Sequence, residues 1–169
     1  MLIAIISDTH MPRGARRLPE PCVERIAGAD LLLHAGDFMT LAVLRELEAI
    51  GPPLVGVRGN VDSAELGRLL PAERVVEAGG AHVAMVHDAG TGPGRLERMR
   101  RRFGDRAEAV VFGHSHQPLH DRARGGFQIF NPGSPTERRR APGHTMGLAH
   151  VEAGALRFEL IDLIPYTAS

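Results

Sequence analysis

The chain has no lysine, no tryptophan, one tyrosine and one cysteine, and its charges cancel. Each shortage removes a class of explanation. Cys22 has no partner within the chain, so no disulfide framework exists and a reducing cytoplasm is the expected setting, with Cys22 as a small core residue. Twenty basic residues against twenty acidic ones leave a formal net charge of zero, so no overall field draws the protein to nucleic acid or anionic lipid. That every basic residue is arginine reads as codon bias rather than function. The clusters Arg98, Arg100 to Arg102 and Arg138 to Arg140 lack interleaved aromatics. They read as solvated or internally paired faces, which argues against a nucleic-acid partner. No stretch approaches the ~20 apolar residues of a membrane span, so no membrane is expected. The opening run Leu2 to Ile6 has no basic flank and leads directly into Asp8, so it reads as a strand and not a leader.

What is present is alternation. The 169 residues suffice for one domain, 1–169, with a real core and no repeats or linker. Compact apolar runs predict strands at Leu2 to Ile6, Asp30 to His34, Leu54 to Val57, His82 to Val86 and Ala109 to Phe112. Apolar positions three or four apart predict helices at Pro21 to Ala27, Leu41 to Ile50 and Arg95 to Phe103, with Thr40 as an N-cap. Beyond His116, short runs at Leu119 to Arg122, Phe127 to Phe130, Thr145 to Val151 and Leu156 to Leu163 are separated by glycine turns and read as antiparallel hairpins. They predict a second sheet packed on the first. The class is α/β.

The five early strands share a feature: each is followed by side chains that bind metals. These are Asp8 and His10, Asp37, Asn60, His87, then His114 and His116. Residues just past a strand sit at its carboxyl end, where open α/β sheets gather ligands. Any one of them alone reads better as a turn or a surface residue, but five recurrences at one position predict a two-metal site. In an extended segment Asp8 and His10, or His114 and His116, would share a face. Gly36, Gly59 and Gly113 each precede a candidate ligand, where a missing Cβ permits a sharp turn or close approach to an ion. Asp, Asn and His without thiolates suit Mn²⁺, first expected here, or Fe²⁺, Ni²⁺ or Zn²⁺. His34 reads as a supporting, substrate-facing or packing residue. His82, His120, His144 and His150 fall outside the pattern.

Taken in order, Ser7-Asp8-Thr9-His10, His34-Ala35-Gly36-Asp37, Gly59-Asn60-Val61-Asp62, His87, Gly113-His114-Ser115-His116 and Asn131-Pro132-Gly133-Ser134 resemble the motifs of calcineurin-like metallophosphoesterases, above all the small bacterial and archaeal phosphodiesterases. The resemblance covers Met1 to about Ser134. It implies a four-layer α/β/β/α sandwich, two mixed β-sheets flanked by helices. It also implies one ion on Asp8, His10, Asp37 and His116 and a second on Asn60, His87, His114 and the shared Asp37. A bridging carboxylate can hold two cations about 3.5–4 Å apart.

The reaction expected is hydrolysis of a phosphodiester by a metal-bridging hydroxide. Asp8, Asp37 and hydroxide would leave a dinuclear centre at plus one, which a singly charged diester neutralises. Arg13, Arg16 and Arg17 follow His10 and could reach phosphate, though a solvated loop reads slightly better. Two departures from the family pattern stand out. Val61 replaces a histidine that many members use on the leaving group, which leaves Asp62, Asp88 and His34 as candidate acids. Asp88 stands where glycine is usual. Asn131 to Ser134 reads as a structural turn. A small phosphodiester is the expected partner and a homo-oligomer is left open. The alternatives are a phosphomonoesterase of the same fold, or a noncatalytic scaffold like the phosphoesterase-like subunit of retromer.

Overall fold

The computed structural model describes residues 1–163; the remainder of the domain expected over 1–169 lies outside them. In chain order the elements are β1 (Leu2–Ile6), α1 (Glu20–Ala27), β2 (Leu31–His34), α2 (Leu41–Glu48), β3 (Leu54–Gly56), α3 (Ala64–Leu69), β4 (Glu73–Ala78) and β5 (Ala81–Val86). There follow α4 (Arg95–Phe103), β6 (Ala109–Val111), β7 (Leu119–Arg122), β8 (Gln128–Asn131), β9 (His144–Glu152) and β10 (Ala155–Leu163). Two five-stranded mixed sheets result, in the orders β10-β9-β1-β2-β3 and β4-β5-β6-β8-β7.

Side-chain alternation builds the layers. On β1, Ile3 and Ile5 join Leu31, Leu33, Val83, Met85, Ala109 and Val111 in a core shared by the two sheets. Ala4 and Ile6 belong instead to a second cluster, with Leu32 and with Cys22, Ile26, Leu44 and Leu47 of α1 and α2. On the other sheet Ala84, Val86, Val110 and Ile129 meet Met99 and Phe103 of α4. The four layers are therefore helix, sheet, sheet, helix. The central strands are apolar on both faces because both faces are covered. Thr40 caps α2, its Oγ1 accepting from the Val43 amide at 3.4 Å.

Two features differ from the sequence reading. The late hairpins do not build a sheet of their own: β9 and β10 extend the first sheet beside β1, while β7 and β8 join the second beside β6. The elements α3 and β4 were not predicted. The first is only six residues long, nucleated by Ser63 Oγ accepting from Leu66 N. The second is an edge strand whose sequence, ERVVEA, shows no clean alternation because little of it is fully buried.

Candidate metal centre

All seven side chains singled out at strand ends converge, and they do so from both sheets. Asp8, His10, Asp37 and Asn60 follow β1, β2 and β3, whereas His87, His114 and His116 follow β5 and β6. Asp37 Oδ2 lies 3.3 Å from His10 Nε2 and 3.2 Å from His87 Nε2. Asp8 Oδ1 lies 3.4 Å from His116 Nε2 and 4.0 Å from His10 Nε2. Asn60 Oδ1 sits 3.0 Å from His87 Nε2 and 2.9 Å from His114 Nδ1. One carboxylate oxygen of Asp37 thus stands between the two groups, the position a bridging ligand needs.

The backbone that delivers these groups is not extended. Asp8, His10, Asp37, His114 and His116 all have left-handed φ, from 46° to 67°. Such φ values are uncommon outside glycine, although Asp, Asn and His adopt them more readily than most residues, and they cluster at functional sites. Asp8 and His10 therefore converge through tight turns, with Asp8 N donating to Gly36 O at 2.9 Å and His10 N to Asp37 O at 3.1 Å. This replaces the shared face of a strand as the reason for the Asp-X-His spacing.

All three glycines serve close approach, though to ligand side chains instead of an ion; a Cβ on Gly36 would strike the His87 ring. A Cβ on Gly59 would strike the backbone and carboxylate of Asp37, and one on Gly113 would strike Ser7 Oγ and the Asp8 carboxylate. Both carboxylates are also held by amides. His114 N donates to Asp8 Oδ1 and Oδ2 at 3.1 and 3.0 Å, and Val61 N donates to Asp37 Oδ1 at 3.0 Å.

The surrounding polar residues are scaffolding. His34 is fully buried, stacked on Phe38 at 3.6 Å between centroids. Its Nδ1 accepts from Gly36 N at 3.1 Å, which leaves Nε2–H for Thr9 Oγ1 at 3.2 Å. Burial, with the neighbouring His87, pushes its pKa down to about 3, so this ring is neutral and sealed from substrate. Asp62 is occupied as well, accepting from Met39 N at 2.7 Å and Gly59 N at 2.6 Å. Of the three candidate acids Asp88 is the most open to solvent; its Oδ1 accepts from Gly90 N at 2.7 Å and turns the chain out of β5. Asn131 and Ser134 form the expected structural turn, and it clamps the ligand loops. Asn131 Nδ2 donates to Gly113 O at 2.9 Å and Ser134 Oγ to Asp8 O at 2.8 Å. Sequence reasoning missed Glu137, whose backbone oxygen accepts from His116 Nδ1 at 2.5 Å. No local motif announces it.

The donor set fits divalent cations. His10 Nδ1 and Nε2 and His116 Nε2 are buried with no hydrogen-bond partner, an arrangement that ordinarily costs about 1–3 kcal/mol for each group. Asp8, His10 and His116, and likewise Asp8, Asp37 and His87, offer ligand atoms within 4.8 Å of one another. The electrostatics agree. Burial works to raise the Asp37 carboxyl, but the adjoining His10 and His87 rings and the Val61 amide hold it well below the usual carboxylate range. At Asp8 burial wins over His87 and His116 and the carboxyl is raised. Burial opposes charging of His87, yet Asp37 and Asp8 outweigh it and raise its pKa. Asp8 and His87 are thus biased toward their protonated forms, and a divalent ion would compete with those protons.

Elsewhere, the arginines read as internally paired behave so: Arg100 meets Glu97, Arg102 meets Glu73, and Arg98 caps carbonyls of Ala89, Thr91 and Pro93. Arg16 turns to Glu137 at 3.1 Å, while Arg13 and Arg17 are exposed. A hollow of about 690 Å³ beside His82, Glu108 and Phe127 shares no residue with the site. Two smaller grooves do adjoin it. Among the described residues no helix is long and apolar enough to cross a membrane.

A two-sheet sandwich with Asp, Asn and His gathered at its strand ends defines a metallophosphoesterase, and the chain belongs to the calcineurin-like phosphoesterase superfamily, whose domain matches residues 1–154. A probable metallophosphoesterase of Methanothermobacter thermautotrophicus is 34% identical over 164 residues, covering 95% of this chain and 92% of that protein. Zinc-bound Vps29 of Entamoeba histolytica superposes with a TM-score of 0.75 at 20% identity, over 96% of this chain and 99% of that one. A novel archaeal phosphodiesterase superposes with a TM-score of 0.71 at 21% identity, over 95% and 100%. The two structures share the fold.

Proposed function

We propose that the protein is a cytoplasmic, dinuclear, metal-dependent phosphodiesterase acting on a small diester, with Mn²⁺ the first choice of ion and Fe²⁺, Ni²⁺ or Zn²⁺ as substitutes. Asp8, His10, Asp37 and His116 would hold one ion, and Asn60, His87, His114 and Asp37 the other. When bound, such a pair supplies a hydroxide nucleophile near neutral pH and neutralises phosphoryl oxygens. The chain's own part is positioning. Val61 N and His114 N fix the two carboxylates, and the Ala35 carbonyl accepts from His87 Nδ1 at 2.8 Å so that Nε2 faces the centre.

One observation carries the diester reading. Grooves of about 270 and 260 Å³ flank His114, one lined by Thr91, Arg95 and Ser115, the other by Arg58, Asn60 and His87, with Asp88 common to both. A diester has two substituents to place and a monoester one. The archaeal metallophosphoesterase relative supports a phosphoester hydrolase more broadly.

Metal analysis of the purified protein, then reconstitution with each ion and assay on paired mono- and diesters, tests the reading. Diesters should turn over faster with Mn²⁺ present. Faster monoester hydrolysis would make this a phosphomonoesterase, and two bound ions with no turnover of either class would favour a scaffold.

A further inference from the structure

The three buried imidazoles of the site are not held alike. His87 Nδ1 lies 2.8 Å from the Ala35 carbonyl and His116 Nδ1 lies 2.5 Å from the Glu137 carbonyl. Each backbone oxygen demands Nδ1–H and so leaves the Nε2 lone pair turned inward. His10 has no such carbonyl. Its Nδ1 is buried without a hydrogen-bond partner, and the group it faces is the Glu137 carboxylate, 3.6 Å away at Oε2. The other oxygen of that carboxylate is gripped by Arg16 Nη2 at 3.1 Å.

Glu137 is itself fixed from three directions. Its amide donates to Ser134 Oγ at 2.9 Å, the same oxygen donates to the Asp8 carbonyl at 2.8 Å, and Thr136 Oγ1 donates to Thr9 O at 2.5 Å. The loop carrying Glu137 is thereby bolted to the loop carrying Asp8 and His10. A single residue stands behind two imidazoles, through its backbone for His116 and through its side chain for His10.

We propose that Glu137 is a positioning residue for the ion bound by Asp8, His10 and His116: its carboxylate, anchored by Arg16, accepts Nδ1–H of His10 and presents Nε2 to the metal. The inference rests on the two-ion reading of the site and names the residue that makes its inner half a strong ligand set. At 3.6 Å the pair is longer than a hydrogen bond, yet the carboxylate charge facing Nδ1 favours the proton on that nitrogen and leaves the lone pair on Nε2. Arg16 explains why a carboxylate serves here: its guanidinium holds the carboxylate in the one orientation that meets a ring lacking a backbone partner.

Calorimetric titration of metal-free protein with Mn²⁺, paired with ¹⁵N spectra of the imidazoles in metal-free protein at alkaline pH, tests this. Glu137→Ala should weaken one of the two ions 10- to 100-fold, the range usual for loss of an outer partner, and leave the other within about threefold. Glu137→Gln keeps an acceptor oxygen and should recover most of the affinity. Arg16→Met should weaken the same ion, by less. In the spectra His10 should be the Nδ1–H tautomer in wild type and a mixture in Glu137→Ala. Equal weakening of both ions, or an unchanged His10 tautomer in Glu137→Ala, would overturn the proposal. If wild type binds no ion, the two-ion reading fails, and the tautomer still decides whether Glu137 orients His10.

Discussion

Asp8, His10, Asp37 and His116 are at most 2% exposed, whereas Asn60 and His114 are open to solvent. The two halves of the site are built differently. Left-handed turns, glycines with no room for a Cβ and a backbone carbonyl behind an imidazole serve both halves; what sets the inner half apart is its burial and the imidazole nitrogens of His10 and His116 that it leaves unsatisfied. The outer half satisfies itself, with Asn60 Oδ1 placed between His87 and His114. The inner half waits for an ion with the Nε2 atoms of His10 and His116 unpaired, while the outer must give up contacts within itself. The inner ion should therefore be the more tightly retained.

Removing the link between the halves should have the largest effect. Asp37→Asn reduces the charge shared by both cations, so metal-dependent turnover should be lost almost completely while the fold survives. Near-normal activity with two ions still bound would break the bridging assignment. Next in size is the chemistry at the outer rim, where Val61 cannot donate a proton. General-acid help is typically worth 10²–10⁴-fold, so aryl diesters should outpace alkyl ones by a margin of that order when chemistry limits the rate. Single-turnover rates that ignore leaving-group pKa in wild type, and follow it in Asp88→Asn, would instead assign the acid to Asp88.

His116→Ala and His114→Ala separate the halves themselves: each should weaken a different ion, with the greater loss for His116. One identical defect in metal titration would merge them. Gly113→Ala should displace Asp8 and cost about 1–3 kcal/mol, as overpacking does. Gly92→Ala, where an added Cβ meets nothing within 4 Å, should cost little, and chemical denaturation compares the two. The last effect, confined to acid pH, belongs to His34 in metal-free protein. Its folded pKa is about 3 against an ordinary 6.5, so the stability it contributes is complete above pH 6.5 and drains away as pH falls toward 3. In His34→Gln, unfolding free energy should fall less steeply across that window; an unchanged slope would remove His34 from the account.

The sequence made legible whatever is decided within a few residues. An apolar run followed by Asp, Asn or His marked every strand end of the site, and the runs around Ile5, Leu33, Met85 and Val110 sufficed for an α/β fold with two sheets. What it concealed depends on distant partners. Whether Asp62 is an acid or an anchor is settled by Met39 N, and whether His34 faces substrate is settled by Phe38 and Thr9. The assignment of β9 to the first sheet depends on pairing with β1 across most of the chain, and Glu137 acquires a role only because Ser134 reaches back to Asp8. The spacing Asp8-Thr9-His10 pointed to the right residues by the wrong geometry, since alternation along a strand and a left-handed turn can both bring i and i+2 together.

The central claim is that two ions, shared through Asp37, are required for diester cleavage. Stepwise addition of Mn²⁺ to metal-free protein, with bound metal and diester turnover measured at each step, tests it most directly. The first equivalent should bind with little turnover and activity should rise with the second; full turnover at one equivalent, unchanged by the next, would contradict the account.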